Sequence, residues 1–157
     1  MRKISWCKNQ NLGIKLTEPS NNLSEEYYKT AEESLKVLKN IQAIESKVWS
    51  ATTKYYIEYF AFYSVLMKIG IKCEIHDCTI ALAEFFEKEK IIPKGISKTL
   101  EEDKELRIDN QYYLKNRPVD IDFDKISGFI ISIKETLDSL NKEKIEELRL
   151  KLFPEEK

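Results

Sequence analysis

A chain of 157 residues carries one ordinary domain, and at that length a folded chain buries roughly 70% of its unfolded surface. Its 42% apolar and 34% charged residues exclude a disordered chain, and four glycines with four prolines are too few for the turns of a β-sandwich or barrel. A formal net charge of -1 excludes non-specific nucleic-acid binding by the surface as a whole and leaves only a local patch for that purpose.

The amino terminus, MRKISWCKNQ, lacks the apolar stretch of a signal peptide. Residues 1–22 read as an irregular arm. Trp6, Leu12, Ile14 and Leu16 are apolar enough to lie against the body, and Pro19, Ser20, Asn21 and Asn22 close it with turn chemistry. The folded body is expected over 23–153, with a tail over 154–157. Ser24 is the expected N-cap of a first amphipathic helix over about 24–43, with Glu25 and Glu26 complementing the helix dipole. Tyr28, Ala31, Leu35 and Leu38 recur there at helical spacing.

The second helix is expected over about 46–69. Val48, Trp49, Tyr55, Ile57, Phe60 and Leu66 place apolar groups nearly all the way round, so this helix is central. Gly70 ends it after Lys68, as a glycine beyond a helix C-terminus does. The tyrosines around 55–67, together with Lys54 and Glu58, suit a protein core better than lipid, and no membrane span is expected. Asp77 is the expected cap of a third helix carrying Ile80, Leu82 and Phe86. Pro93 and Gly95 precede a fourth over about 97–114, and a loop at 116–122 leads to a fifth over about 123–140. Asn141 opens a sixth reaching Leu152. The expectation is an all-α antiparallel bundle of five to six helices.

Three sets of residues are chemically suggestive. Cys73, His76 and Cys78 lie within six positions and, with Cys7, supply four metal-capable side chains. Their spacing matches no common zinc knuckle, so no metal and no cofactor are expected. Three cysteines, odd in number and unevenly spaced, suggest no disulfide framework and point to a reducing cytoplasm. His76 is the only histidine. It is either a hydrogen-bonded residue fixing a helix junction or a general acid–base near neutral pH. The aromatic series of the second helix lies on too many faces to be an exposed stacking platform and reads as core, with a dimer interface as a further use.

The third set ends the fourth helix: Arg107, Asn110, Gln111 and Tyr112. A guanidinium, two amides and a phenol at one helix end suit a phosphate group, and with only four arginines in the chain Arg107 carries more information than a lysine would. The alternative is a structural network in which Arg107 pairs with Asp103 or with carboxylates of another helix.

Three stretches in this order, Lys54-Tyr55-Tyr56-Ile57-Glu58-Tyr59-Phe60, Gly70-Ile71-Lys72-Cys73-Glu74-Ile75-His76 and Arg107-Ile108-Asp109-Asn110-Gln111-Tyr112-Tyr113, resemble the HEPN domain (higher eukaryotes and prokaryotes nucleotide-binding) of small prokaryotic proteins. The resemblance covers about residues 24–140. It implies a helical bundle that homodimerises and binds RNA or a nucleotide, in many members as a metal-independent ribonuclease toxin paired with a nucleotidyltransferase antitoxin. The family motif is an arginine followed four to six residues later by a histidine. Arg107 matches the arginine, whereas Tyr112 and Tyr113 stand where the histidine falls and Ile108 follows the arginine. A phenol titrating near ~10 is a poor proton shuttle beside an imidazole near ~6.5. The expected activity is therefore RNA or nucleotide binding through Arg107, Asn110, Gln111 and Tyr112, as a toxin–antitoxin component. A ribonuclease using Arg107 with His76 in place of the missing base is the first alternative. A non-catalytic helical partner of a nucleotidyltransferase is the second.

Overall fold

The computed structural model describes residues 3–154, so the last three residues of the expected tail, 155–157, lie outside the described residues. Seven helices are described: α1 (Ile4–Asn9), α2 (Asn21–Ile41), α3 (Lys47–Ile69), α4 (His76–Lys88), α5 (Ile96–Gln111), α6 (Phe123–Ser139) and α7 (Lys142–Leu152). Two short strands, β1 (Lys15–Leu16) and β2 (Ile71–Lys72), pair antiparallel with Lys15 opposite Lys72 and Leu16 opposite Ile71. The mostly helical architecture expected from periodicity is present, with seven described helices where five to six were expected and a two-strand ladder besides.

α3 is its axis, packed against α2, α5, α6 and α7. Its fully buried Tyr55, Phe62, Leu66 and Ile69 anchor a core that also takes in Phe86 of α4 and Leu100 of α5. A smaller cluster joins Leu38, Ile57, Ile126 and Ile130 where α2, α3 and α6 meet. No helix among the described residues is long and apolar enough to cross a membrane.

The caps explain most boundaries. Ser46 Oγ accepts from Trp49 N–H, Asp122 Oδ1 from Asp124 and Lys125 N–H, and Asn141 Oδ1 from Lys144 N–H. Two caps differ from expectation. Ser20, not Ser24, caps α2 by accepting from Leu23 N–H, and Ser24 is buried inside the helix. α4 begins at His76 with Ile75 in the cap position, which places Asp77 in the first turn. α5 stops at Gln111, short of the expected 114, because the chain turns through left-handed backbone at Leu114 and Asn116.

The arm is the larger correction. It holds α1 and β1, and it is bonded to the body: Cys7 forms a disulfide with Cys78, 71 residues away. An odd number of cysteines concealed one pair and one free thiol, Cys73, which is buried. The two sulfurs meet only because the arm folds back on α4, a long-range fact that local spacing does not carry.

Gly70 sits where arm, α3 and α7 converge. Its φ of 84° is left-handed, and a Cβ there would lie 2.4 Å from Arg149 Nη1 and 2.6 Å from Thr17 O. Strain and clash act together, so Gly70→Ala is expected to destabilise the fold by about 2–4 kcal/mol. Urea titration checks this; an unchanged midpoint would show that the junction relaxes freely.

Candidate functional site

Arg107 lies in the last full turn of α5, with its side chain turned inward onto α3. Its guanidinium carbon is 4.9 Å from the Tyr55 ring centroid, 5.4 Å from Tyr56 and 6.0 Å from Tyr112. These are cation–π separations. The residue is only 7% exposed. Nη1 donates to Gln111 Oε1 at 3.5 Å, the outer limit of a hydrogen bond, and Nε has no acceptor. Asp103, one turn earlier, accepts instead from Lys54 Nζ at 3.1 Å. No carboxylate among the described residues pairs with Arg107, so the sequence alternative of an Arg107–Asp103 network is not formed.

His76 meets the same tyrosine at its hydroxyl. Its Nδ1 is 2.5 Å from the Tyr55 hydroxyl, and its ring centroid is 4.8 Å from that of Tyr59 and 6.3 Å from that of Tyr56. Burial drives the Tyr55 phenol far above its ordinary value, so it keeps its proton. That phenol has no other acceptor among the described residues, so Tyr55 O–H donates to Nδ1, which puts the ring's own proton on Nε2. Tyr55 therefore forms a common wall between His76 and Arg107, two groups from different helices.

The His76 pKa is lowered, first by burial, then by the charges of Arg107 and Lys104; Asp77 opposes them. Lys104 is itself held by Asp77 at 2.5 Å and Glu101 at 3.1 Å. His76 is thus a neutral hydrogen-bond donor at pH 7. The sign for stability follows from the depressed folded value: the unfolded chain takes the proton first, so stability is lost as pH falls below the ordinary histidine value. Replacing Arg107 by methionine is expected to move the His76 midpoint upward. Because the chain has one histidine, its ring signals report this directly by NMR titration. A midpoint that stays put would separate the two groups electrostatically.

The other expected residues divide. Gln111 touches Arg107 as above, and Tyr112, 64% exposed, lies beside it just past the helix end. Asn110 is fully buried, and both ends of its amide are engaged by the Arg117 backbone: Nδ2 donates to Arg117 O at 3.0 Å and Oδ1 accepts from Arg117 N–H at 2.7 Å. It fastens the loop after α5. Asp109 holds the same loop through Lys115 at 3.0 Å and Arg117 at 2.7 Å.

The cysteines are dispersed to separate roles. Cys7 and Cys78 are bonded to each other, and the Cys73 thiol donates to Ile75 O. No group of three or more metal-capable side chains converges among the described residues. Residue types alone pointed to Arg107 and His76 but not to Tyr55 and Tyr56 as the walls between them, since both tyrosines read as core. No family model, curated protein or solved structure matches the chain.

Proposed function

We propose that the Arg107 end of α5 binds a phosphate group carried by RNA or a nucleotide, in a HEPN-type domain that binds its ligand rather than cutting it. The observation that supports this is a buried guanidinium with an unfilled Nε–H and no carboxylate partner among the described residues. An unpaired buried cation is unfavourable by several kcal/mol, and the aromatic rings return only about 0.5–2 kcal/mol. A phosphate oxygen completes such a site with charge-assisted hydrogen bonds. His76 Nε2–H adds a neutral donor. Tyr112 beside Arg107, and Tyr113 with Lys115 Nζ 5.7 Å from its ring, are exposed rings next to cations, the arrangement on which a base stacks. Asn110 belongs to the scaffold of this site rather than to its contacts.

A second reading, a metal-independent ribonuclease, is favoured by His76 and Arg107 meeting on Tyr55. A base must present an unprotonated ring nitrogen, however, and Tyr55 occupies the one that is free. Incubation of RNA with the protein in EDTA is expected to leave it bound and intact. Cleavage that His76→Ala stops would establish the enzyme instead.

Homodimerisation and a toxin–antitoxin pairing with a nucleotidyltransferase are part of the same proposal; Tyr113 and Leu114, 67% and 73% exposed, offer apolar surface beside the site. A cytoplasmic setting is compatible with the Cys7–Cys78 bond because both residues are fully buried, out of reach of attacking thiolates.

A further inference from the structure

α2 and α3 share a face that carries no charge. On α2, Leu23, Tyr27, Thr30, Ser34 and Val37 recur at alternating steps of four and three, which sets them in one stripe along the helix. Leu23 and Val37 are each 50% exposed, and the three between them are half-buried. The stripe borders α3. The Tyr27 ring centroid is 6.2 Å from that of Phe60 and 4.8 Å from that of Tyr63, whereas Tyr28 beside it reaches the other way, to Ile130 O on α6. On α3, Trp49, Thr53, Tyr56 and Phe60 repeat the same steps; Trp49 is 60% exposed and the others are half-buried. The Tyr56 and Phe60 rings lie 5.5 Å apart. None of these side chains is charged, in a chain that is 34% charged, whereas Glu26, Lys29, Glu33 and Lys36 fill the exposed side of α2.

Aromatic rings with charge excluded from among them have the composition of an interface core. The face runs about 30 Å along α2 and is two helices wide, roughly 20 Å, which gives roughly 600 Å². Covered by a copy of itself it would bury about 1,200 Å² in total, the lower end of the range for specific interfaces. Neutrality selects the occupant. A two-fold pair sets a patch against itself, so a net charge on the patch would repel its own copy, and this patch has none. A nucleic acid or an anionic bilayer would draw on cations within the face, and the face supplies none.

We propose that α2 and α3 form the interface of a two-fold homodimer, in which the rings of one copy pack over the small side chains of the other, with Thr30, Ser34 and Thr53 leaving the room for them. The inference rests on the homodimer within the function proposed above and not on the ligand at Arg107.

Sedimentation velocity of the full chain, from low to high micromolar concentration, should show a monomer–dimer equilibrium. Ser34 Oγ bonds to Thr30 O within its own helix, so a charged side chain fits there without disturbing the core. Ser34→Glu and Ser34→Lys should each weaken self-association by at least about tenfold, because like charges meet across a two-fold whichever their sign. Thr53→Glu and Thr53→Lys make the same test from α3 should a Ser34 variant melt early. Glu25→Lys, outside the stripe, should leave the dimer intact, and so should Arg107→Ala, which separates this face from the ligand site. A monomer across the whole range, or a dimer that both signs of charge leave unchanged, would overturn the proposal. So would a monomer that binds RNA more tightly as Ser34→Lys and less tightly as Ser34→Glu, which gives the face to nucleic acid. A monomer captured by phosphatidylcholine vesicles and released by both substitutions would equally overturn it, in favour of lipid.

Discussion

Arg107→Ala is expected to weaken binding of a 5′-phosphorylated RNA oligonucleotide by about ten- to a hundredfold at fixed salt, with little loss of thermal stability. The size follows from one or two charge-assisted hydrogen bonds, each worth about 1.5–3 kcal/mol. The small change in stability follows from what Arg107 leaves behind. It has no carboxylate partner to strand, its contact with Gln111 is long, and removing a poorly compensated buried cation offsets the lost contact with Tyr55 and Tyr56. Arg107→Lys keeps the charge but loses the planar fork and the ring stacking, so it should recover only part of the affinity. Unchanged affinity in Arg107→Ala at fixed ionic strength would sink the binding site; an equal loss in affinity and stability would make Arg107 structural.

Opening the Cys7–Cys78 bond is expected to lower the unfolding free energy by about 4 kcal/mol, because the closed loop spans 71 residues and its release enlarges the unfolded ensemble. At this chain length the melting temperature should fall by roughly 10 °C. Urea titration with and without reductant, and of Cys7→Ser, measures the effect. Identical midpoints would mean that the arm stays docked through Ile14 and its strand pairing alone, without help from the bond. Because Cys78 is two residues beyond His76, the reduced protein should also show a shifted ring signal for that histidine.

What local sequence carries here is the helices and their ends. The apolar series Tyr55, Ile57, Phe60 and Leu66 identified the central helix, Gly70 its stop, and Ser46, Asp122 and Asn141 stand at or beside the boundaries expected of them. Ser20 was obscured because Ser24, not Ser20, stands directly before the acidic pair Glu25 and Glu26 that a helix start favours. The site was legible in part. Arg107 stood out as one of four arginines in a chain of many lysines, but Tyr55 and Tyr56 reach it from α3 and His76 joins Tyr55 from α4, and side chains meeting across helices leave no periodic trace. Asn110 shows the converse: its type suited a ligand, while the tight turn after α5 claimed both ends of its amide. Cys7 and Cys78 were hidden for the same reason as Tyr55 and His76, since pairing at long separation is a property of the fold.

Arg149 of α7 gives the bundle an order of assembly. Its Nη1 donates to Thr17 O, Ile69 O and Gly70 O, gathering the arm and the end of α3 under one side chain. Thr17 precedes it by 132 residues. A chain emerging vectorially during synthesis has both cysteines of the disulfide long before it has Arg149. The covalent link can close on a half-made chain, whereas the carbonyls at the α3 terminus stay without this donor until the last helix is out. Ribosome-stalled chains that have exposed Cys78 but end before residue 149 should therefore already migrate as closed loops in non-reducing gels and shift when reductant is added, yet remain open to proteases at the junction of arm and α3.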